Sequence, residues 1–400
     1  MDTKTILILG GGIGGLATAR ALVRRLPRGH RIVLVERERD HVFAPSLLWL
    51  MVGARTPAAI TRPLDRLVPK GVEVRYGEID RIDPGRRTVS IGGESAAADF
   101  IVVALGAALD PSAVPGLADA GHNIYTLPGA QSLCGALKEL RAGRLVVLTA
   151  TPAYKCPAAP YEAAMLADAF YRRRRTRGAV EIEVYAAEPA PMGTAGPQVS
   201  DGVRQLLAER AIGYHPGRQV TRVDPHAKRL TFADGTEAAF DLLAYVPPHV
   251  PPPPIRDSGL AGESGWAAVD RHTLETRFPG VYAIGDVVAI PLAIGKPLPK
   301  AGVFAHEEGE VVARRIAHAV TGTDAAARFD GHGECFIEVG DGKAGFGAGD
   351  FYAEPSPEVT MHGPSRHWHL AKVLLEKSWL NLGLTPSRAG AWMTHRRSSP

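Results

Sequence analysis

Short apolar runs alternate along this chain with stretches whose apolar residues fall at helical spacing. Thr5–Leu9 is the first strand-like run, and residues 16–26 then read as a helix. A second strand, residues 31–35, ends on the carboxylate of Glu36. Further apolar strands follow at 100–105, at 145–148, around Ile182, around Leu242 and at 278–286. Strands alternating with helices in this way predict an α/β fold.

Between the first strand and the first helix lies Gly10-Gly11-Gly12-Ile13-Gly14-Gly15. Gly10, Gly12 and Gly15 fit G-x-G-x-x-G, which makes a tight turn, admits a pyrophosphate and packs helix on strand, with Gly14 in the same turn. The helix N-terminus supplies unpaired N–H groups and the positive end of its dipole. Glu36 stands where a carboxylate binds ribose hydroxyls. A structural glycine-rich loop accounts for the turn but not for Glu36, so a dinucleotide site is expected. The strand at 145–148 is followed by Thr149-Ala150-Thr151-Pro152, which holds no glycine. A second pyrophosphate needs close backbone approach, so this turn argues against NAD(P)H.

The expected architecture is two Rossmann-like domains, one inserted in the other, plus a C-terminal α+β domain. Residues 1–110 and 271–325 form the first, residues 111–270 the second, and residues 326–400 the third. Residues 246–254, with six prolines, read as a stiff extended linker back to the first domain. The last domain carries strand-like runs near Cys335 and a helix at about 366–380.

Composition narrows the function. A chain of 400 residues is long for one core. Charged residues at 22% and hydrophobic residues at 45% exclude a disordered chain. A net charge of +4 over this length implies no nucleic-acid role. Three cysteines are too few for a secreted disulfide scaffold, so each needs its own explanation. The chain starts almost on its first strand with no signal peptide, and no apolar run approaches 20 residues, so nothing is expected to span a bilayer.

Cys156 lies in Tyr154-Lys155-Cys156-Pro157-Ala158-Ala159-Pro160-Tyr161-Glu162, where the second nucleotide turn would end. Lys155 and the following helix start are expected to lower its thiol pKa. Its bland reading, shared by Cys335, is a buried inert thiol. For Cys134, within the helical stretch 131–140, that bland reading is preferred. The run Arg172-Arg173-Arg174-Arg175 reads first as a solvated helix end suited to the dipole, and second as a site for anionic lipid or a substrate funnel. Within 365–380, Leu370, Val373, Leu374 and Trp379/Leu380 make one helical face with Lys and His opposite. Trp368, Trp379, Lys372 and Lys377 suit an interfacial helix; an ordinary helix packed on the core is the alternative. His362, His367 and His369 give only a weak metal pattern, and no metal is expected.

Several segments resemble known families. Phe278–Asp286, ending Ile284-Gly285-Asp286, resembles the second FAD fingerprint of the pyridine nucleotide–disulfide reductase superfamily, and Phe100–Gly106 resembles its connecting strand, with Leu105 where threonine is usual. Lys300-Ala301-Gly302 resembles the segment beside the flavin pyrimidine ring. Within that superfamily the chain resembles the sulfide:quinone oxidoreductases and the flavoprotein of flavocytochrome c sulfide dehydrogenase. Phe43-Ala44-Pro45 with Trp49, the Cys156–Glu162 segment, Gly333-Glu334-Cys335-Phe336 and the basic, aromatic C-terminus carry this resemblance.

The resemblance implies noncovalent FAD, since residues 41–45 hold no cysteine for attachment. It implies cofactor contacts at Gly10, Gly12, Gly14, Gly15, Glu36, Pro45, Ile79, Gly106, Gly285, Asp286 and Lys300. Cys156 and Cys335 become a sulfur-carrying redox pair, with Glu162 moving protons. Sulfide opens their bridge, the flavin takes the electrons, and a membrane quinone receives them beside Phe336 and Trp379. The C-terminal helix then makes the protein a peripheral membrane protein, with homo-oligomerisation left open. A type II NADH:quinone reductase, a flavocytochrome c-type subunit and a non-enzymatic redox-sensing flavoprotein are the competing readings.

Overall fold

The structure is a computed structural model that describes residues 2–323 and 327–382, so the basic, aromatic stretch from residue 383 onward lies outside the described residues. The N-terminal part runs β1 (Thr5–Leu9), α1 (Ile13–Arg25), β2 (Arg31–Glu36), β3 (Val72–Tyr76) and β4 (Phe100–Val103). Then come β5 (Gly143–Thr149), α2 (Ala159–Arg173), β6 (Val180–Ala186) and β7 (Leu242–Val246). The chain continues with β8 (Val281–Ala283) and α3 (Gly302–Thr321). It closes with β9 (His332–Gly340), β10 (Lys343–Asp350), β11 (Glu358–Ser365) and α4 (Arg366–Leu382).

The first sheet has the parallel order β8-β4-β1-β2-β3. Ile6, Leu7, Ile8 and Leu9 of β1 are all buried, as befits a strand covered on both faces. β8 joins this sheet from far along the sequence, pairing Val281 with Ile101. Helix α3 lies against α1 because glycine meets glycine there: a Cβ on Gly309 would come 2.8 Å from the Gly14 carbonyl oxygen.

A second parallel sheet contains β7, β5 and β6 in that order, with edge strands His122–Asn123 and Gly213–His215. Ala108–Leu109 pairs antiparallel with His249–Val250 where the chain crosses between the two sheets. The third sheet, β9-β10-β11, is antiparallel. Helix α2 lies against β9, where a Cβ on Gly340 would meet that of Ala169 at 2.4 Å. The mixed α/β class with Rossmann-like parallel sheets is as the sequence predicts.

The C-terminal helix is turned the other way round from the sequence expectation. Leu370 and Leu374 are 56% and 55% exposed, while Trp368, Lys372, Glu376 and Trp379 are buried. Trp379 lies fully inside: its indole N–H donates to His41 Nε2 at 2.9 Å, and the Arg20 guanidinium sits 5.1 Å above its ring. An indole whose N–H has a buried acceptor has no need of an interface, and buried charges that are paired tolerate the core. Among the described residues no helix is long and apolar enough to cross a membrane. The arginine run is a helix terminus, with Arg172 bridging Asp168 and Asp341 and Arg174 donating to the Lys138 carbonyl.

Candidate functional site

The first and third sheets and the loop and helix α2 that follow β5 contribute walls to one cavity of about 1010 Å³. Its first wall is the loop after β1. Gly10 has φ +110°, and a Cβ there would lie 2.4 Å from the Ala104 carbonyl oxygen. Gly12 has open space where its Cβ would be, so an anion can reach the backbone at the start of α1. Gly14 also lines the cavity, whereas Gly15 faces β1, where a Cβ would strike the Gly10 carbonyl oxygen at 1.9 Å. Glu36, at the end of β2, accepts from the N–H of Gly11 at 2.6 Å and of Arg37 at 2.8 Å.

Pro45, Ile79, Gly106 and Gly285 line the same space. So does Asp286, whose carboxyl burial raises while Lys155 and Lys300 oppose the rise. Lys300 donates to the backbone oxygens of Asp286 and Val288, each at 2.7 Å, and burial lowers its ammonium to about 8. An open glycine turn, a carboxylate closing β2 and a second carboxylate backed by lysine are the donor set a dinucleotide cofactor needs, so the residues present fit FAD.

The sulfur wall is formed by α2 and β9. Cys156 and Cys335, 179 positions apart in the numbering, both line the cavity as free thiols within electrostatic reach of each other. Cys156 has φ +50°, a conformation that costs a non-glycine residue about 1–3 kcal/mol and gathers at functional sites. Its N–H donates to the Lys300 carbonyl at 2.7 Å, and the Tyr125 hydroxyl donates to the carbonyls of Lys155 and Cys156. Phe336 lines the cavity too, with its ring against Phe346.

The expected lowering of the Cys156 thiol pKa does not occur. Burial pushes it up to about 12, Glu162 adds to the rise, and Lys372 opposes it. Cys335 is raised further for the same reason, with Cys156 and Glu162 adding. Lys155, the expected activator, acts on Asp286 and His249 instead. Both groups are therefore neutral thiols near pH 7, as burial in low dielectric dictates.

The cation that does reach the sulfur was missed. Lys372 Nζ donates to Glu162 Oε1 at 2.7 Å, and the Glu338 N–H donates to the same oxygen at 2.8 Å. Burial lowers Lys372, but Glu162 and Glu338 together outweigh it and raise the ammonium. A sequence signal existed: His369, Lys372 and Glu376 recur at i, i+3 and i+7, a polar stripe on one helix face. Spacing alone assigns this stripe to the solvent side. Trp379 does not line the cavity and is withdrawn as a quinone contact, because the core beside His41 holds it. Cys134 does not line it either and sits against Gly53.

In the second parallel sheet, the carboxylate at the end of a strand is engaged by the protein itself. Glu188, just beyond β6, accepts from Thr149 Oγ1 at 2.7 Å, from the Tyr161 hydroxyl at 2.5 Å and from the Tyr154 hydroxyl. Among the described residues no cluster of three or more His, Cys, Asp or Glu is placed to hold a metal ion; His369 pairs with Glu338 instead.

Comparison with known proteins adds independent findings. Residues 4–325 match the family described as pyridine nucleotide-disulphide oxidoreductase. The sulfide-quinone reductase of Aquifex aeolicus is 26% identical over 395 residues, 94% of this chain and 90% of that protein. The mitochondrial sulfide:quinone oxidoreductase of Mus musculus is 23% identical over 366 residues, 88% of this chain and 79% of that protein. The X-ray structure of the Aquifex aeolicus enzyme superposes with a TM-score of 0.87 at 23% identity, covering 100% of this chain and 96% of that one. NDH2 of Plasmodium falciparum in complex with NADH superposes with a TM-score of 0.72 at 12% identity, covering 95% and 96%.

Proposed function

The chain belongs to the pyridine nucleotide-disulphide oxidoreductase family, and from that premise we propose that it oxidises sulfide on Cys156 and Cys335 and passes the electrons through FAD to a membrane quinone. It is a flavoprotein oxidoreductase with FAD as cofactor. The observation that carries the sulfur reading is the meeting of Cys156, Cys335, Glu162 and Lys372 on one cavity wall. The names of the Aquifex and mouse relatives support the substrates.

When bound, FAD supplies a two-electron store between sulfur and quinone. The chain supplies the rest. Hydrosulfide attacks the oxidised Cys156–Cys335 bridge, so that one new S–S bond forms, the bridge breaks and one cysteine leaves as thiolate. In a wall that otherwise keeps thiols neutral, Lys372 offsets that negative charge, and Glu162 takes up or returns the proton. Gly10, Gly12, Gly14, Glu36, Pro45, Ile79, Gly106, Gly285, Asp286 and Lys300 hold the cofactor, with Gly15 packing α1 onto β1. Phe336 is the apolar wall for the quinone ring.

Anaerobic mixing tests the reading: sulfide bleaches the flavin band within the mixing experiment, and NADH leaves it unchanged because Glu188 is occupied by three hydroxyls. Bleaching by NADH faster than by sulfide would move the chain to the NADH:quinone branch.

The exposed face of α4 supports a membrane contact there. Leu370 and Leu374 point outward, flanked by exposed Arg366, His367 and Lys377. Apolar residues rimmed by cations on one helix face fit the lipid interface. Leu370→Asp/Leu374→Asp is expected to weaken liposome binding by on the order of 100-fold, from the roughly 1.5–3 kcal/mol each leucine gains on burial. Bleaching by sulfide and reduction of a water-soluble quinone stay intact. Liposome binding that is unchanged in this variant would place the membrane contact elsewhere.

A further inference from the structure

The turn that carries Cys156 is tied to one carboxylate on both sides. The chain leaves β5 at Thr149 and enters α2 at Ala159, with Cys156 between them. Two positions before the cysteine, the Tyr154 hydroxyl donates to Oε1 of Glu188. Five positions after it, the Tyr161 hydroxyl donates to that same oxygen at 2.5 Å. The other oxygen, Oε2, takes the Thr149 hydroxyl at 2.7 Å, and Thr149 in turn accepts the N–H of Ala187 at 2.9 Å. Glu188, Tyr154 and Tyr161 are buried, and none of them lines the cavity.

Cys156 needs such a hold. Its φ of +50° is a strained conformation, which persists only where the surroundings over-determine it. On the cavity side the Lys300 carbonyl takes its N–H, and the Tyr125 hydroxyl donates to its carbonyl oxygen at 3.2 Å. Behind the turn, Glu188 fixes the flanks through Tyr154 and Tyr161. Cys335 is placed differently, within β9 and opposite Gly347 of β10 in the ladder. The alignment of the two sulfurs therefore varies with the turn more than with the strand. A misplacement of about 1 Å can cost a reacting pair on the order of 100-fold.

We propose that Glu188 is a positioning residue for Cys156: one oxygen grips the turn through Tyr154 and Tyr161 and presents the sulfur to Cys335. The proposal rests on the sulfur chemistry given above and deepens it, since it places control of the cysteine pair on a side chain outside the cavity. Bridge closure is the step that reads it. Two S–H bonds break, one S–S bond forms, and two electrons and two protons pass to the oxidant. With glutathione disulfide as the oxidant, the products are the bridge and two glutathione thiols.

The holoenzyme is equilibrated anaerobically with mixtures of glutathione and its disulfide and then alkylated, and the Cys156–Cys335 bridge is quantified by mass spectrometry. Glu188→Leu is expected to lower the effective concentration of one thiol at the other by at least ~10-fold, with flavin content unchanged. Glu188→Gln stays within about twofold of the parent, because a carboxamide oxygen accepts from both tyrosines and its NH2 donates to Thr149. Tyr154→Phe/Tyr161→Phe repeats the Glu188→Leu loss, and adding Glu188→Leu to it costs nothing more, since all three changes act through one contact. Bleaching by sulfide slows in parallel, while photoreduced flavin is reoxidised by a water-soluble quinone at the parent rate; a variant that only loosened the fold would lose flavin or quinone reduction as well. A smaller loss in Glu188→Leu, or an equal loss in Glu188→Gln, overturns the clamp. Should Glu188→Leu fail to fold, Tyr154→Phe, which leaves two hydroxyls on the carboxylate, decides by the same measure. A parent that sulfide bleaches, with a Glu188→Leu variant that closes the bridge as readily, keeps the sulfur substrate and overturns the clamp. A parent that sulfide leaves unbleached, with the bridge weakened in Glu188→Leu as expected, keeps the clamp and overturns the substrate.

Discussion

Cys156→Ser and Cys335→Ser each leave the flavin oxidised when sulfide is added. The expected loss in bleaching rate is about 10³-fold or more, since a residue that forms the covalent intermediate has no substitute in its site. Cys156 comes from the loop before α2 and Cys335 from β9, yet they share a cavity wall with Glu162 and Lys372. Serine removes the sulfur and changes little else, because the thiols make only weak contacts, Cys335 with the Phe336 carbonyl at 3.4 Å and Cys156 with the backbone of Ala159. Flavin content should therefore match the parent. Cys134→Ser is the control: its sulfur sits beside Gly53 and off the cavity, and it should keep most of the activity. Equal losses in all three variants would mean that sulfur leaves the cavity by way of Cys134.

Lys372→Met carries the largest expected cost in stability. It leaves Glu162 and Glu338, 2% and 1% exposed, without their shared cation. Breaking a buried pair from one side costs about 3–5 kcal/mol, a lowering of the unfolding midpoint of roughly 4–6 °C for a chain of 400 residues. The sign with pH follows from linkage. In the variant the folded state binds protons on these carboxylates more readily than the unfolded chain does, so the deficit against the parent shrinks as pH falls and is full at neutral pH. Lys372→Met/Glu162→Gln should recover part of the loss, because it removes one of the stranded charges. Thermal unfolding of the three proteins at two pH values checks all of this; a single variant as stable as the parent would show that Lys372 is not holding these charges.

What the sequence discloses here depends on whether the signal is local. The loop at Gly10–Gly15 and the carboxylate at Glu36 act over one βαβ unit, so spacing alone points to the dinucleotide cavity. The missing glycine after β5 is equally local, and the structure supplies its counterpart in Glu188, which no motif marks. The helix at 366–380 is legible as a helix for the same reason. Its orientation is not, because burial of Lys372 and Glu376 depends on partners more than 200 and 300 positions away, Glu162 and Arg55. Hydrophobicity ranks a lysine as solvent-facing and a leucine as buried, and here tertiary pairing reverses both. Thiol pKa fails similarly: Lys155 is adjacent in sequence to Cys156, but burial and the distant Glu162 set the direction.

With Glu188 held by Thr149, Tyr154 and Tyr161, the function proposed above would run without drawing on the cell's nicotinamide pool. On that proposed function its flux would track the supply of sulfide rather than the cell's level of NADH. Sulfide would then be consumed at a rate its own concentration sets.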